Sequence, residues 1–211
     1  MISGVRAAFD RFNAAHPWDH NRHYHRWILR QLPARFGRAL DVGCGSGELA
    51  RALAERADSV DAIDQDPEIL RHAGDIPRHN IRFRQQDARE LPPGGDYDVI
   101  TCVATLHHLP FAETLRTLRA NLAPGGRLVV LGVYQPQTIG DWTLALMAVP
   151  ANLAVGWAKS PRGGKRPVAM TAVTRPASMP LAEIRRVAAR ELPGARIRRH
   201  LFWRYSLVFG R

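Results

Sequence analysis

Cysteine is nearly absent. Cys44 and Cys102 are the only two among 211 residues. Two thiols cannot build a disulfide scaffold or a four-thiolate zinc site, and they suit a reducing compartment such as the cytoplasm. Lysine is as scarce, with Lys159 and Lys165 standing against 28 arginines. Acidic residues are missing from one region in particular. Residues 1–158 balance 17 cations with 17 acids, whereas 159–211 carry 13 cations against Glu183 and Glu191 alone. The whole net charge of +11 therefore sits in the last quarter of the chain. It reads either as a solvated face with arginine-rich composition, or as the mark of an anionic partner such as RNA, a membrane or an acidic substrate. The opening MISGVRAAFDRF has no apolar run of the kind a secretory signal needs. The longest charge-free stretch runs from Trp142 to Ala158 and is interrupted by Pro150 and Asn152, too short and broken for a membrane span. With 45% apolar and 23% charged residues, the chain is globular and can bury a core.

What is present is an alternation of two kinds of segment. Arg38–Val42, Ser59–Ile63, Ile81–Gln86, Tyr97–Val103 and Arg127–Tyr134 are short apolar or β-branched runs, expected as strands. Helical patterns near 47–56, 66–73 and 111–121 separate them. Such alternation predicts a parallel sheet covered on both faces, with the polar 82–86 segment at an edge. Residues 6–32 predict one or two cap helices, with Tyr24, Trp27, Ile28 and Leu32 at helical spacing. Pro180–Leu192 predicts a helix, and 195–201 with 204–209 an antiparallel pair joined by a short link. The expected layout is a single domain: a cap over 1–37, a cofactor half over 38–134, a substrate-side insert over 135–179, and a terminal helix and hairpin over 180–211.

Leu40-Asp41-Val42-Gly43-Cys44-Gly45-Ser46-Gly47 carries the sharpest signal. It follows a strand and opens a helix, where glycines allow a tight turn and close approach of a ligand. The third glycine falls one residue earlier than in the dinucleotide fingerprint, and no GK[ST] ending is present, which excludes a phosphate-cradling ATPase loop. Asp41, just before the glycines, would repel a pyrophosphate. It suits a ligand that presents an ammonium. Asp64 at the end of the second strand is placed to accept ribose hydroxyls. Asp87 after the third is placed to accept an adenine amine.

With AIDQDP, QQDA, YDVITCVATLHHL and LAPGGRLVV following in order, the chain resembles the class I S-adenosylmethionine-dependent methyltransferases of the small-molecule type. That resemblance implies a doubly wound, seven-stranded, mostly parallel α/β sheet of the Rossmann-like kind, with an N-terminal helical cap and an insert before the C-terminal β-pair. It implies S-adenosyl-L-methionine as cofactor and S-adenosyl-L-homocysteine as product. Carried over by position, Gly43, Gly45 and Gly47 line the methionine part and Asp41 orders their loop. Asp64, with Gln65 beside it, holds the ribose. Asp87 and Ala88 meet adenine, the backbone at Val103 faces the cofactor's amino group, and Tyr24 reaches in from the cap.

The acceptor is less constrained. Thr101-Cys102-Val103-Ala104 replaces the Asn/Asp-Pro-Pro-aromatic tetrad of DNA amino-methylation, and neither cysteine has the Pro-Cys context of base C5 chemistry. His107 is the foremost expected general base, with His108, His20 and His25 as further candidates. A zinc site on His16, His20 and His23 is weighed and set aside, since no metal is needed. The first expectation is an oxygen or nitrogen on a small, hydrophobic metabolite, with the 142–158 stretch walling its pocket. Alternatives are RNA as acceptor, a non-catalytic partner protein that binds the cofactor, and peripheral membrane contact through 142–166, which would add membrane association to a cytoplasmic location.

Overall fold

The computed structural model describes residues 19–159 and 176–211. Seven strands form one sheet: β1 Phe36–Val42, β2 Ala57–Asp64, β3 Ile81–Gln85, β4 Tyr97–Val103, β5 Leu122–Val133, β6 Arg196–His200 and β7 Arg204–Gly210. Their order is β3-β2-β1-β4-β5-β7-β6. Pairs among β1 to β5 are parallel, and β7 runs antiparallel to both β5 and β6. The described helices are α1 His20–His23, α2 His25–Gln31, α3 Glu48–Ala54, α4 Pro67–Gly74, α5 Phe111–Ala120, α6 Ile139–Lys159 and α7 Leu181–Glu191. This is the seven-stranded, doubly wound architecture expected from the sequence.

Alternation along the strands sends side chains to two cores. Leu40, Ile100, Leu128 and Phe209 form a continuous row across β1, β4, β5 and β7. That row belongs to the apolar cluster under α5 and α7, with Leu115, Leu118, Ile184 and Val187. Their neighbours Ala39, Val99, Val129 and Val208 enter the opposite cluster with Ile28 of α2 and Leu49 and Leu53 of α3. Burying each such leucine or isoleucine contributes about 1.5–3 kcal/mol, so a one-residue register slip would be costly.

One strand departs from its expected boundary, and one helix forms where the sequence predicts no element. Strand β5 starts at Leu122 rather than Arg127, because Leu122 pairs with Tyr97 before the register shifts and resumes at Val99 and Arg127. Helix α6 runs unbroken from Ile139 to Lys159 with Pro150 inside it. Proline removes one helical N–H bond there. Anchors at both ends offset that loss. Asp141 Oδ2 accepts the amides of Gln137 and Thr138, its Oδ1 accepts Arg199 Nη1 at 2.9 Å, and Val155 packs on the core. Asp141 is buried, which pushes its pKa up. The Thr138 and Gln137 amides, the Thr138 hydroxyl and the Arg199 guanidinium outweigh that and hold the carboxyl far below the usual range.

Strand order reverses between β1 and β4, which leaves a crevice at their carboxyl ends. The cap helices α1 and α2 are fastened beside it. Tyr24 donates its hydroxyl to the Leu201 carbonyl at 3.0 Å, and Arg22 pairs with Glu48 of α3 at 3.2 Å.

Candidate active site

A cleft of about 500 Å³ opens at this crevice, a size suited to a small ligand. Asp41, Gly43, Cys44, Gly45 and Ser46 line it from the β1–α3 turn, and Asp64, Gln65 and Asp66 from the end of β2. Asp87, Ala88 and Arg89 contribute beyond β3, and Val103, Ala104, Thr105, His108 and Leu109 beyond β4. Asp19, Asn21 and His25 face it from the cap.

The glycine loop holds its amides inward. Gly43 N and Cys44 N both donate to the Ile63 carbonyl, at 2.8 and 3.0 Å, and Gly47 N donates to the Cys44 carbonyl at 2.9 Å. Gly45 N donates to Asp64 Oδ2 at 2.9 Å. A phosphate-binding loop aims such amides at the ligand; this loop spends them on β2. What it offers a ligand is close approach, together with carboxylate. Gly43 has φ +70°, and a Cβ there would overlap the Thr105 side chain. Gly47, also left-handed at φ +74°, lies outside the cleft lining, and a Cβ on it would sit 2.7 Å from the Phe83 ring. Its part is to turn the chain into α3.

Asp41 is buried beneath this loop. Its Oδ1 accepts the Thr101 hydroxyl at 2.7 Å, while Oδ2 has no hydrogen-bond partner among the described residues. Burial pushes its pKa up to about 7, helped by the charge of Asp64 and resisted by the Thr101 hydroxyl. An orphaned buried carboxylate oxygen beside a ligand cleft is satisfied by a cationic group such as an ammonium. Asp64 is more occupied than the sequence suggests. Its two oxygens accept Gly45 N at 2.9 Å and Asp66 N at 3.1 Å. A carboxylate has about four acceptor positions, so capacity for two hydroxyls remains.

Asp87 is engaged differently from the expected adenine contact. It accepts the Arg89 amide at 2.9 Å and the Arg89 guanidinium through both Nε and Nη2, the latter at 2.5 Å. The Arg89 side chain holds the Asp87 carboxyl below its usual range. An adenine amine at Asp87 must share or displace that clamp. Arg89 was invisible to the sequence reading, although its position two residues after a strand-end carboxylate allows the pairing.

At the end of β4, Ala104 has φ +50°, an unusual conformation for a residue with a Cβ. Its amide donates to the Leu131 carbonyl at 2.7 Å. This turn exposes the backbone after Val103 to the cleft and leads into the short helical turn of Leu106–His108.

The histidines separate here. His108 and His25 line the cleft, whereas His107 and His20 do not. His107 lies against His108 with ring centroids 3.9 Å apart. His20 packs edge-on to Phe202 at 5.2 Å. Phe202 and Trp203 adopt positive φ at the β6–β7 turn, which brings Phe202, buried, under the cap. Tyr24 likewise stays off the cleft, since its hydroxyl is committed to Leu201. Burial lowers the His25 pKa from its ordinary value, with Asp19 opposing and Arg22 adding to the effect. His25 is therefore a neutral imidazole at neutral pH. Cys102 is fully buried and its thiol is pushed up to about 12, so it acts as a small apolar side chain. Among the described residues no group of three His, Cys, Asp or Glu is arranged for a metal ion. His16 lies outside the described residues, as do residues 160–166 of the expected membrane contact.

Residues 39–126 match the family described as Methyltransferase domain. An uncharacterised methyltransferase of Mycobacterium tuberculosis is 35% identical over 198 residues, covering 92% of this chain and 96% of that protein. The ubiquinone biosynthesis O-methyltransferase of Xylella fastidiosa is 33% identical over 127 residues, covering 57% of this chain and 51% of that one. Among solved structures, the DhpI–SAH complex aligns with a TM-score of 0.63 at 21% identity, over 99% of this chain and 94% of that chain. At that identity the likeness is one of fold.

Proposed function

The chain belongs to the class I S-adenosylmethionine-dependent methyltransferases, and we propose that it methylates an oxygen or nitrogen of a small, mainly apolar acceptor. S-adenosylmethionine supplies, when bound, a methyl carbon made electrophilic by its sulfonium. The residues present fit that cofactor: the open Gly43–Gly45 turn admits it, the orphaned Asp41 Oδ2 suits its ammonium, and Asp64 retains acceptor capacity for ribose hydroxyls. Gln65 and Ala88 line the cleft where they would border the ribose and adenine.

The observation that carries the acceptor reading is the position of His25 on the cleft beside His108 and Leu109, with burial lowering its pKa so that the imidazole favours its neutral form. A neutral imidazole accepts the proton of a hydroxyl acceptor as its oxygen takes the methyl, or takes the proton of an ammonium beforehand so that the freed amine lone pair can attack. His25 thereby takes the role that the sequence assigned first to His107. The name of the Xylella relative, an O-methyltransferase, agrees with an oxygen acceptor.

RNA fits less well. Among the described cations of the last quarter, Arg199 is bound to Asp141, Arg190 to Glu191, Arg186 to Glu183 and Arg204 to Asn21. Arg199 and Arg204, the less exposed of these, are less available for phosphates. The test is transfer of labelled methyl from S-adenosylmethionine to a panel of hydroxylated aromatics and amines, beside total RNA. Label is expected in an organic-extractable small product. Label in RNA alone would overturn the reading.

A further inference from the structure

We propose that the seam between cap helix α2 and the terminal hairpin binds a phosphate monoester. A second cavity, of about 70 Å³, opens there. Trp27 and Gln31 of α2, Arg196 and Arg198 of β6, and Ser206 and Val208 of β7 line it. None of these six residues lines the cleft. Strand alternation puts Arg196, Arg198 and His200 on one face of β6, in register with Val208, Ser206 and Arg204 of β7. Ile197 and Arg199 take the other face, Ile197 against the core under α5 and α7 and Arg199 on Asp141. The two cavity arginines stand about 7 Å apart along the strand. Both are exposed at the edge of the sheet, and among the described residues neither has a hydrogen bond or an ion pair. Arg127 adds a third guanidinium close by, its Nη1 donating to the Gln31 carbonyl at 2.6 Å. No acid occurs in α2, β6 or β7.

One unpaired arginine at a surface needs no explanation. Two on one strand face, over one cavity and with no carboxylate on any flanking element, repel each other, and an anion between them relieves that repulsion. Each guanidinium fork takes two oxygens, so two forks on one cavity suit a tetrahedral group with three free oxygens and two charges. A carboxylate fills one fork only. An internal RNA phosphate is a diester, with two free oxygens and one charge. A cavity with room for roughly two waters admits a single such group and leaves its substituent outside, beside the Trp27 ring. The Arg198 charge already reaches His200, whose pKa is lowered first by burial and then by Arg198. A helix-to-strand bridge here also bears on the cleft. His25 opens α2, and Trp27 and Gln31 follow on the same helix, so an anion held between α2 and β6 fastens the cap that carries His25. The binding itself goes beyond the acceptor reading and does not depend on it.

The experiment titrates the full-length protein with inorganic phosphate and with phenyl phosphate, following tryptophan fluorescence and Tm. Saturable binding with a roughly millimolar Kd is expected, the strength of two charge-assisted pairs. At tenfold excess over Kd, Tm should rise by roughly 3–6 °C above its value in sodium chloride of equal ionic strength. Arg196→Gln with Arg198→Gln should weaken binding by roughly tenfold or more while leaving S-adenosylmethionine affinity unchanged. Trp27→Phe should remove the fluorescence change and keep the Tm shift. Vesicles containing phosphatidic acid, whose headgroup is a monoester, separate the sources. Sedimentation with them that free phosphate reverses assigns the site to a lipid headgroup, and its absence beside phenyl phosphate binding assigns it to a soluble ester. No saturable response to any of these probes overturns the proposal. So does a response equal to that of chloride, or one that the double arginine variant keeps. Binding of RNA with no response to phosphate also overturns it. Failure to methylate any small acceptor would overturn the acceptor reading and leave the titration standing.

Discussion

The cofactor side of the cleft comes from residues 41–105, each in or just after a strand end that follows its predecessor in sequence. The cap side of the cleft, where we propose the acceptor, is assembled from far apart. His25 sits on a cap fastened by Tyr24 to Leu201 across 177 residues and by Asn21 to Arg204 across 183. Helix α6, which contributes no residue to the described cleft lining, is likewise fastened at long range, by Asp141 to Arg199 across 58. The first side uses backbone geometry and carboxylates, which are set by neighbouring residues. The second uses imidazoles and apolar surface, whose placement depends on how distant segments dock. Changes on the first side should therefore act on cofactor binding, and changes on the second on turnover.

The largest expected effect tests the second side. His25→Ala should lower kcat by about 10²–10⁴-fold, with the cofactor Kd within roughly twofold of wild type because His25 makes no part of the glycine loop. Turnover of the wild type should fall as acid protonates His25, at a pH below its ordinary value near 6.5 because burial disfavours the cation. His107→Ala, off the cleft, should cost far less. A loss at His107 that exceeds the loss at His25 would reverse the assignment.

Next comes the cofactor side. The folded protein keeps the Asp41 proton up to about pH 7, whereas an unfolded chain releases it near pH 4. Stability of the cofactor-free protein should therefore fall as pH rises from about 4 to about 7, then level off. Cofactor affinity should rise over the upper part of that range, as the ionised carboxylate meets an ammonium. Asp41→Asn should flatten both curves. It should make the free protein roughly 2–4 kcal/mol more stable at pH 8 and bind cofactor roughly tenfold more weakly. Thermal melts and calorimetry across pH check both, and a pH-independent wild type would remove Asp41 from this role.

Asp64→Ala removes the acceptor for Gly45 N and Asp66 N together with the proposed ribose contact. Cofactor binding should weaken by about 1–3 kcal/mol, read by titration calorimetry. Affinity equal to wild type would show that the carboxylate only shapes the loop. The smallest effect is expected at Arg89→Ala. Freeing Asp87 from its clamp should change cofactor affinity by no more than roughly fivefold, since the pair is at the surface. An increase would mean that Arg89 competes with adenine, and a decrease that it helps hold it.

The sequence made much of this legible. Short apolar or β-branched runs at Arg38–Val42 and Arg127–Tyr134 mark strands that do send residues into both cores, and the polar Ile81–Gln85 strand does lie at an edge. The Gly43–Gly47 turn was readable because its cause is local. The sequence puts His107 foremost from its place after the fourth strand, and it carries no information on which of His20, His25, His107 and His108 reaches the cleft, because that depends on what approaches each ring. The 142–158 stretch, interrupted by Pro150 and Asn152, carries no helix expectation, since local propensity holds no knowledge of the Arg199 anchor 58 residues away.

Sequence alone determined the strand order of appearance, the glycine turn and the strand-end carboxylates, because each depends on residues within a few positions of one another. Tertiary structure alone decided that Asp41 is buried with an unpaired oxygen, that Arg89 already occupies Asp87, and that His25 rather than His107 faces the cleft. Those facts depend on solvent exclusion and on contacts between remote segments, and burial is set by what packs around a residue once the chain has folded.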